Sequence, residues 1–551
     1  MQTKTSQDAD VLVVGGGASG LLLALLLQRA GIKVRLIDPE ASADPRPRPS
    51  ILHSRSLELL ELFDLLPPVV ANSHEIEGVE FYREGKLLKR LDFRGLQTPF
   101  PFARALNRGI LEDFFQDVFE RGGGRVERNT KILAAWLESD GVRCKIDDAN
   151  GVIEQLTYRY VVGCDGGGRV LRECLGIGFR PLGEEVFYGF VEAAVEGGIP
   201  RNRSSVFFHP EGLLEFLPLE SFSKNQPSRY RIMAVLPIVD KKSEFTVEQM
   251  QLIVQERVGE GIFLSSPSWS GRTRIRPALA RRFSAGKVLL TGSDAHRQNP
   301  IAGQSLDSSL GDAFNLAWKL VAVLRGDSPP SLVEASYSEE RSKTALFSIE
   351  AAQRLLNFGR NETGPVSFFD KFSKILTEHR TIDHTLAQDI SHLSHNYRNS
   401  PLTFELRKKF LTPNQMRAGE RIPDAVVPFS NGKNIRLYNL LRGSEFSLIL
   451  RPLNFEEYGA ASFGNMRFFS EEATSAFRGK LRVIWALPPA LIPQATRGGL
   501  NFIADVGGNI SHLLGIEPCG AVLIRPDFYS VWASAQPNIA EFRLAISHFW
   551  T

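Results

Sequence analysis

Three glycines at the spacing Gly15-x-Gly17-x-x-Gly20 stand between the apolar run Val11-Leu-Val-Val14 and a leucine-rich stretch. A second apolar run, Val34-Arg-Leu-Ile37, then ends on Asp38. A strand, a glycine turn, a helix and a second strand closed by an acid are what a bound dinucleotide requires. Gly15 permits the tight turn, Gly17 lets the backbone approach a pyrophosphate, and Gly20 lets the helix pack closely on the strand. Ser19 lies inside the same turn. The helix N-terminus faces the phosphate charge, and Asp38 can accept hydrogen bonds from a ribose diol. The plainer alternative is a glycine-rich turn in some other α/β domain.

Two further clusters carry chemistry less specifically. Val162-Gly-Cys-Asp165 followed by three glycines reads as a strand running into a turn. Gly292-Ser-Asp294-Ala-His296 suggests a metal or a triad, but no second histidine stands at metal spacing, which argues against zinc. No G-x-S-x-G elbow precedes a suitable acid and histidine, which argues against a hydrolase. The four cysteines, Cys144, Cys164, Cys174 and Cys519, include no C-x-x-C, so neither a disulfide framework nor a thioredoxin-type redox pair is expected.

The elements that must position these groups follow from the rest of the chain. At 551 residues it is too long for one ordinary core, and 43% hydrophobic with 23% charged residues is a globular composition. A net charge of +3 gives no reason to expect a nucleic-acid partner. The uncharged run Val11 to Leu27 resembles a short membrane span, but it is glycine-interrupted and falls short of the roughly 20 apolar residues that a span needs. A buried strand and helix account for it better. No cleavage site of the secretory kind follows, so a cytoplasmic protein with no membrane span is expected. Helical patterns are predicted over 54–66, 108–121 and 311–324, and meander strands near 125–138, 142–147 and 156–163. Short alternating runs within 76–104 and from 204 to 235 predict strands, the latter in an antiparallel sheet.

In order, the three motifs resemble the group A flavoprotein monooxygenases, the family of p-hydroxybenzoate, phenol and polyketide aromatic hydroxylases. That family shows G-x-G-x-x-G, then a D-G motif, then G-D-x-x-H-x-x-P-P-x-G-G-Q-G before a helix. Here the third motif reads Gly292-Ser293-Asp294-Ala-His296-Arg-Gln-Asn-Pro300-Ile-Ala302-Gly303-Gln304-Ser305-Leu-Asp307, and the helix after it contains Asp312-Ala-Phe-Asn315-Leu-Ala-Trp318-Lys319-Leu. Arg48 and the segment Arg55-Ser-Leu-Glu58 match family sequence near the flavin, and Arg108 with Glu112 matches the helix start that approaches the cofactor phosphates. Departures from the pattern include Ser293 at the family's Asp, Ala302 and Ser305 at glycines, and Asp307 at the Asn near the flavin carbonyl.

The resemblance implies an α/β fold with a Rossmann-type FAD-binding domain, an inserted antiparallel-sheet substrate domain and a C-terminal thioredoxin-like domain. The expected ranges are 1–180 for the FAD-binding domain, with substrate-domain strands within 76–104, then 181–275 for the substrate sheet. Residues 276–417 would complete the FAD-binding domain with a helical segment, and 418–551 would form the thioredoxin-like unit, with a packing or homodimer role. The implied cofactor-binding residues are Gly15, Gly17, Ser19, Gly20, Asp38, Arg48, Arg108, Asp165, Asp294, Gly303, Gln304 and Ser305. Pro300 would sit beside the flavin face, Tyr82, Phe207 and Phe216 would wall the substrate, and His209 is the candidate base, with a structural histidine as its alternative. The implied reaction is hydroxylation of a phenolic or polyketide-like small molecule with O2, through a flavin C4a-hydroperoxide and with NADPH or NADH as transient co-substrate. The altered third motif prompts an alternative, a polyketide-pathway cyclase that keeps FAD without redox turnover.

Overall fold

The computed structural model describes residues 9–44, 46, 48–164, 166, 169–220, 228–237, 244–360, 380–407, 415–443, 445–453, 455–497 and 499–550. Its chain divides into two compact units. One takes Met1–Leu96, Phe100–Phe314 and Arg341–Ser394; the other takes Gln97–Pro99, Asn315–Glu340 and His395–Thr551.

The first unit is built on a sheet in the order Ser284–Ala285, Val288–Thr291, Tyr160–Cys164, Val11–Val14, Val34–Ile37, Val126–Glu127. All neighbours run parallel except the first pair. The central strand Val11–Val14 is buried throughout, as a strand covered on both faces must be. The apolar run once readable as a membrane span breaks at its glycines into this strand and the helix Ala18–Arg29. Ten consecutive residues of that helix, Ala18 to Leu27, are buried. No described helix is long and apolar enough to cross a membrane. The helix Arg108–Arg121 lies against it, with Gln28 Nε2 donating to Phe119 O at 3.1 Å. The meander is Lys131–Leu137, Val142–Asp147 and Ile153–Tyr158; the chain then passes into Tyr160–Cys164 of the parallel sheet, a break not legible in the run 156–163.

A second, larger sheet runs in the order Phe263–Ile275, Val186–Glu196, Ser228–Leu236, Leu214–Glu220, Ser204–Phe208, Gly78–Arg83, Lys86–Asp92. Gly78–Arg83 and Lys86–Asp92, both within 76–104, are thus strands of this sheet. It is not wholly antiparallel: Ser204–Phe208 pairs with Gly78–Arg83 in parallel, because these strands come from separate passes of the chain rather than from one hairpin. Alternate residues on each strand face opposite sides. One side carries Val79, Phe81, Tyr188, Val206, Leu217 and Met233 in a core shared with Ile51 and Ile301. The other carries Phe207, Phe216, Tyr230 and Ile232, covered by Met250 and Val254 of the helix Val247–Arg257.

The second unit holds a sheet ordered Phe404–Glu405, Ser530–Ser534, Ala521–Ile524, Phe446–Leu450, Leu481–Leu487, Phe502–Ala504. Phe446–Leu450, Leu481–Leu487 and Phe502–Ala504 run parallel, and Ala521–Ile524 is antiparallel to both its neighbours. Its buried polar centre is Glu340, which meets Lys319 Nζ at 2.8 Å, Arg525 Nη1 at 2.7 Å and Ser400 Oγ at 2.7 Å. The unit takes up 395–417 and 315–340 besides 418–551, so its boundary differs from the expected one. Composition changes little there, and the division follows packing.

Candidate functional site

At the first glycine turn Gly15 has φ +118°, a conformation that favours glycine. A Cβ on Gly20 would lie 2.0 Å from Gly15 O, so only glycine lets the helix Ala18–Arg29 sit this close to the strand. Gly17 caps that helix with extended backbone and without a side-chain cap. The anion-seeking end is partnered by a carboxylate: Ala18 N donates to Glu112 Oε1 at 3.1 Å, Arg108 Nε donates to the same oxygen at 2.8 Å, and Arg48 donates to Oε2. Two guanidinium groups and a helix N-terminus thus gather around one negative charge, which is the electrostatic environment a diphosphate needs. Asp38 turns back onto the glycine loop, accepting from Gly16 N at 2.5 Å and from Glu40 N at 2.8 Å. Ser19 faces inward, its hydroxyl 3.2 Å from that of Thr291.

The third motif starts where Val288–Thr291 ends. Ser293, at the family's Asp position, is exposed; Asp294 is buried and accepts from Gly166 N at 3.0 Å, joining the second motif to the third. Asp165 itself lies outside the described residues. His296 belongs to a buried charge network. Its Nε2 pairs with Asp312 Oδ2 at 2.9 Å, while Gly292 N donates to that oxygen at 3.0 Å and Arg341 Nε to Oδ1 at 2.7 Å. Burial alone would raise the Asp312 carboxyl, but Arg341 and His296 hold it below the usual carboxylate range. The loop continues through Pro300 into a single turn, Ile301–Gly303, with Ala302 at φ +60° and Gly303 at φ +65°. A Cβ on Gly303 would come 2.7 Å from Ile51 Cδ1. Gln304 anchors the loop by donating to Asp389 O at 3.1 Å and Ile390 O at 3.3 Å, and Ser305 opens the helix Ser305–Leu324, exposed.

An apolar cleft lies between this loop and the large sheet. Ile51, Phe81, Phe93, Val206, Ile301 and Leu355 supply its apolar walls, with His53, Ser204 and Glu215 among them. A neighbouring space shares Ile51 and Glu215 and brings Pro300 and Gly303 opposite Arg231 and Met233. Ser204 Oγ donates to Glu215 Oε1 at 2.8 Å, and burial pushes the Glu215 carboxyl up. Burial likewise lowers the Arg231 guanidinium to about 10, against the pull of Glu215 and Glu192.

Tyr82, Phe207 and Phe216 do not wall this cleft. They pack among themselves on the other side of the sheet, Tyr82 stacked on Phe207 with centroids at 4.6 Å and Phe207 edge-on to Phe216 at 5.8 Å. The reason is parity: on each strand the neighbours Phe81, Val206 and Glu215 point to the cleft, so these three rings point away. His209 is also displaced from the expected role. It lies past the end of Ser204–Phe208, half-buried, where its Nδ1 accepts from Glu211 N at 3.2 Å to shape the turn. The groups missed from sequence are His53, Glu215 and Arg231. A signal existed for Glu215, a charge inside the apolar run Leu213-Leu-Glu215-Phe-Leu217, whereas Arg231 shares its strand with Arg229.

Residues 8–351 match the family of the FAD binding domain, and the chain belongs to that family. Pentachlorophenol 4-monooxygenase of Sphingobium chlorophenolicum is 26% identical over 541 residues, 95% of this chain and 93% of the relative. Among solved structures, aklavinone-11 hydroxylase in a ternary complex with FAD and aklavinone aligns with a TM-score of 0.75 at 21% identity, over 99% of each chain. The Diels-Alderase PyrE3 of pyrroindomycin biosynthesis aligns with a TM-score of 0.70 at 20% identity, over 98% of this chain and 99% of that one. The class is thus an FAD-dependent enzyme whose curated relatives are monooxygenases and hydroxylases, and FAD is its cofactor. The residues present fit that group: the Gly15–Gly20 turn admits no side chain at Gly20, two arginines stand at the helix N-terminus, and both amide atoms of Gln298 and Oδ1 of Asn299 are buried without a partner beside Pro300.

Proposed function

We propose that this chain hydroxylates a phenolic or polyketide-like aromatic, with O2 and with NADPH or NADH as the transient reductant. FAD supplies the redox chemistry when bound. Gly15, Gly17 and the N-terminus of Ala18–Arg29 would hold its diphosphate with Arg48 and Arg108, Asp38 its ribose, and Asp294 with the Pro300–Ser305 loop the rest. For Asp38 and Glu112 this requires their carboxylates to exchange present partners for the cofactor. The observation that carries the substrate reading is the cleft, whose apolar walls suit a flat ring and exclude water from it. Glu215 and Arg231 supply the polar groups that would orient the ring against Pro300.

The test is anaerobic mixing of the FAD-loaded protein with NADPH or NADH while phenols and polyketides are screened. Bleaching of the flavin that substrate accelerates, followed by hydroxylated product in air, is the expected result. No bleaching with any compound favours the second reading, a cyclase that keeps FAD without turnover. The likeness in fold to a Diels-Alderase and the departures at Ser293, Ser305 and Asp307 support that alternative. In the C-terminal unit, the strand order with parallel Phe446–Leu450 and Leu481–Leu487 beside antiparallel Ala521–Ile524 and Ser530–Ser534 supports a thioredoxin-like reading. Cys519 is the one cysteine of that region, so its role there would be packing or dimerisation rather than redox.

A further inference from the structure

His53 lines the cleft but belongs to none of the three motifs. It stands between the strand Pro49–Leu52 and the helix Ser54–Leu62, which it caps, and only 2% of it is exposed. Its backbone N–H donates to Asp307 Oδ1 at 2.9 Å, and its ring Nδ1 lies 2.7 Å from Asp307 Oδ2. Phe93 packs edge-on against the ring at 6.4 Å between centroids, and His392 stacks on it at 6.2 Å. The ring is therefore held in position, in rotation and in tautomer. A carboxylate only accepts, so it assigns the proton to Nδ1 and leaves Nε2 with its lone pair for the contents of the cleft. An asparagine at 307 would impose no such assignment, because its amide can donate as well as accept.

The titratable groups facing this imidazole are Asp307 from the helix Ser305–Leu324, Glu215 from Leu214–Glu220 and His392 beyond Arg380–Ile390. The remaining wall is predominantly apolar. Burial raises the Glu215 carboxyl, which weakens it as a competing negative charge opposite the ring.

We propose that His53 is a catalytic base for the substrate hydroxyl and that Asp307 is its positioning residue, so that the substrate is an aromatic bearing an ionisable hydroxyl. The substrate O–H bond breaks, the proton bonds to Nε2, and the electron pair stays on the oxygen as a phenolate. The imidazolium formed is stabilised by the Asp307 carboxylate, and the phenolate feeds electron density into the ring carbons that are to be attacked. This inference rests on the aromatic-hydroxylase reading above.

The test uses the full FAD-loaded chain and 4-nitrophenol, whose phenolate absorbs in the visible, followed by difference spectra against pH. The bound probe should ionise about one pH unit or more below the free probe. His53→Gln should return the ionisation to the free value, and Asp307→Asn should move it part of the way. A bound probe whose ionisation is unchanged by His53→Gln overturns the proposal and leaves the hydroxylase reading standing. Failure of wild-type protein to bind this or any other phenol overturns both. Flavin absorbance reports whether each variant is folded and loaded; if His53→Gln loses FAD, an unshifted ionisation in Asp307→Asn overturns the proposal instead.

Discussion

Ala302 holds φ +60° at a position where the family carries glycine, and a β-carbon in that conformation costs about 1–2 kcal/mol. Part of that cost returns as the extra freedom of a glycine in the unfolded chain, so Ala302→Gly should stabilise the protein by roughly 0.5–1 kcal/mol. Urea unfolding measures this, and a destabilised variant would show that the loop depends on the methyl group for packing. Glu215 sets a second expectation. Its carboxyl is raised on folding, so below its ordinary value of 4.5 it brings no penalty, and above that value ionisation increasingly opposes the fold. Glu215→Gln cannot ionise. Its melting temperature should therefore gain on wild type as pH climbs from 4.5, and parallel curves for the two proteins would contradict the assignment.

Asp312 shows how one residue ties elements together. From the helix Ser305–Leu324 it accepts from the Gly292 turn, from His296 and from Arg341 of the helix Ser331–Arg360. Both Asp312 and Arg341 are buried, at 0% and 4% exposed, so removing one charge strands the other. Asp312→Ala should cost about 3–5 kcal/mol. It should also lower FAD content, because the turn bearing Asp294 loses its anchor. Denaturation midpoint and the ratio of flavin to protein absorbance check both parts. Full stability with reduced FAD would place Asp312 in binding rather than in the frame. The large sheet shows a different dependence between elements. Strand existence was legible from alternation, yet the face that Ser204–Phe208 and its neighbour Leu214–Glu220 present depends on a register in which the former pairs with Gly78–Arg83, remote in sequence. That is why Phe207 and Phe216 were expected at the substrate, whereas it is Val206 and Glu215 that line the cleft.

At the scale of the molecule, several buried charges among the described residues sit in networks assembled from segments far apart in sequence. In the second unit Lys319, Glu340, Arg525 and Asp527 balance two positive against two negative groups. Burial opposes ionisation of Glu340, but Arg525 and Lys319 overcome it and hold the carboxyl below its ordinary 4.5. Its contribution is therefore complete above that pH and is lost as pH falls through the lower folded value. Glu340→Gln should cost about 3–5 kcal/mol at neutral pH, and the deficit should narrow in acid. Thermal unfolding across pH checks this, and a deficit constant with pH would contradict it. What the sequence settled unaided was local: the glycine turn, Asp38 at its strand end, the helix Arg108–Arg121 and the order of the three motifs are fixed by sterics and by residues close along the chain. Tertiary structure alone decided that Asp307 meets His53, that Asp294 meets Gly166, and which side of the sheet holds the cleft. Those outcomes depend on strand register and on encounters between segments up to some hundreds of residues apart, which no local periodicity encodes.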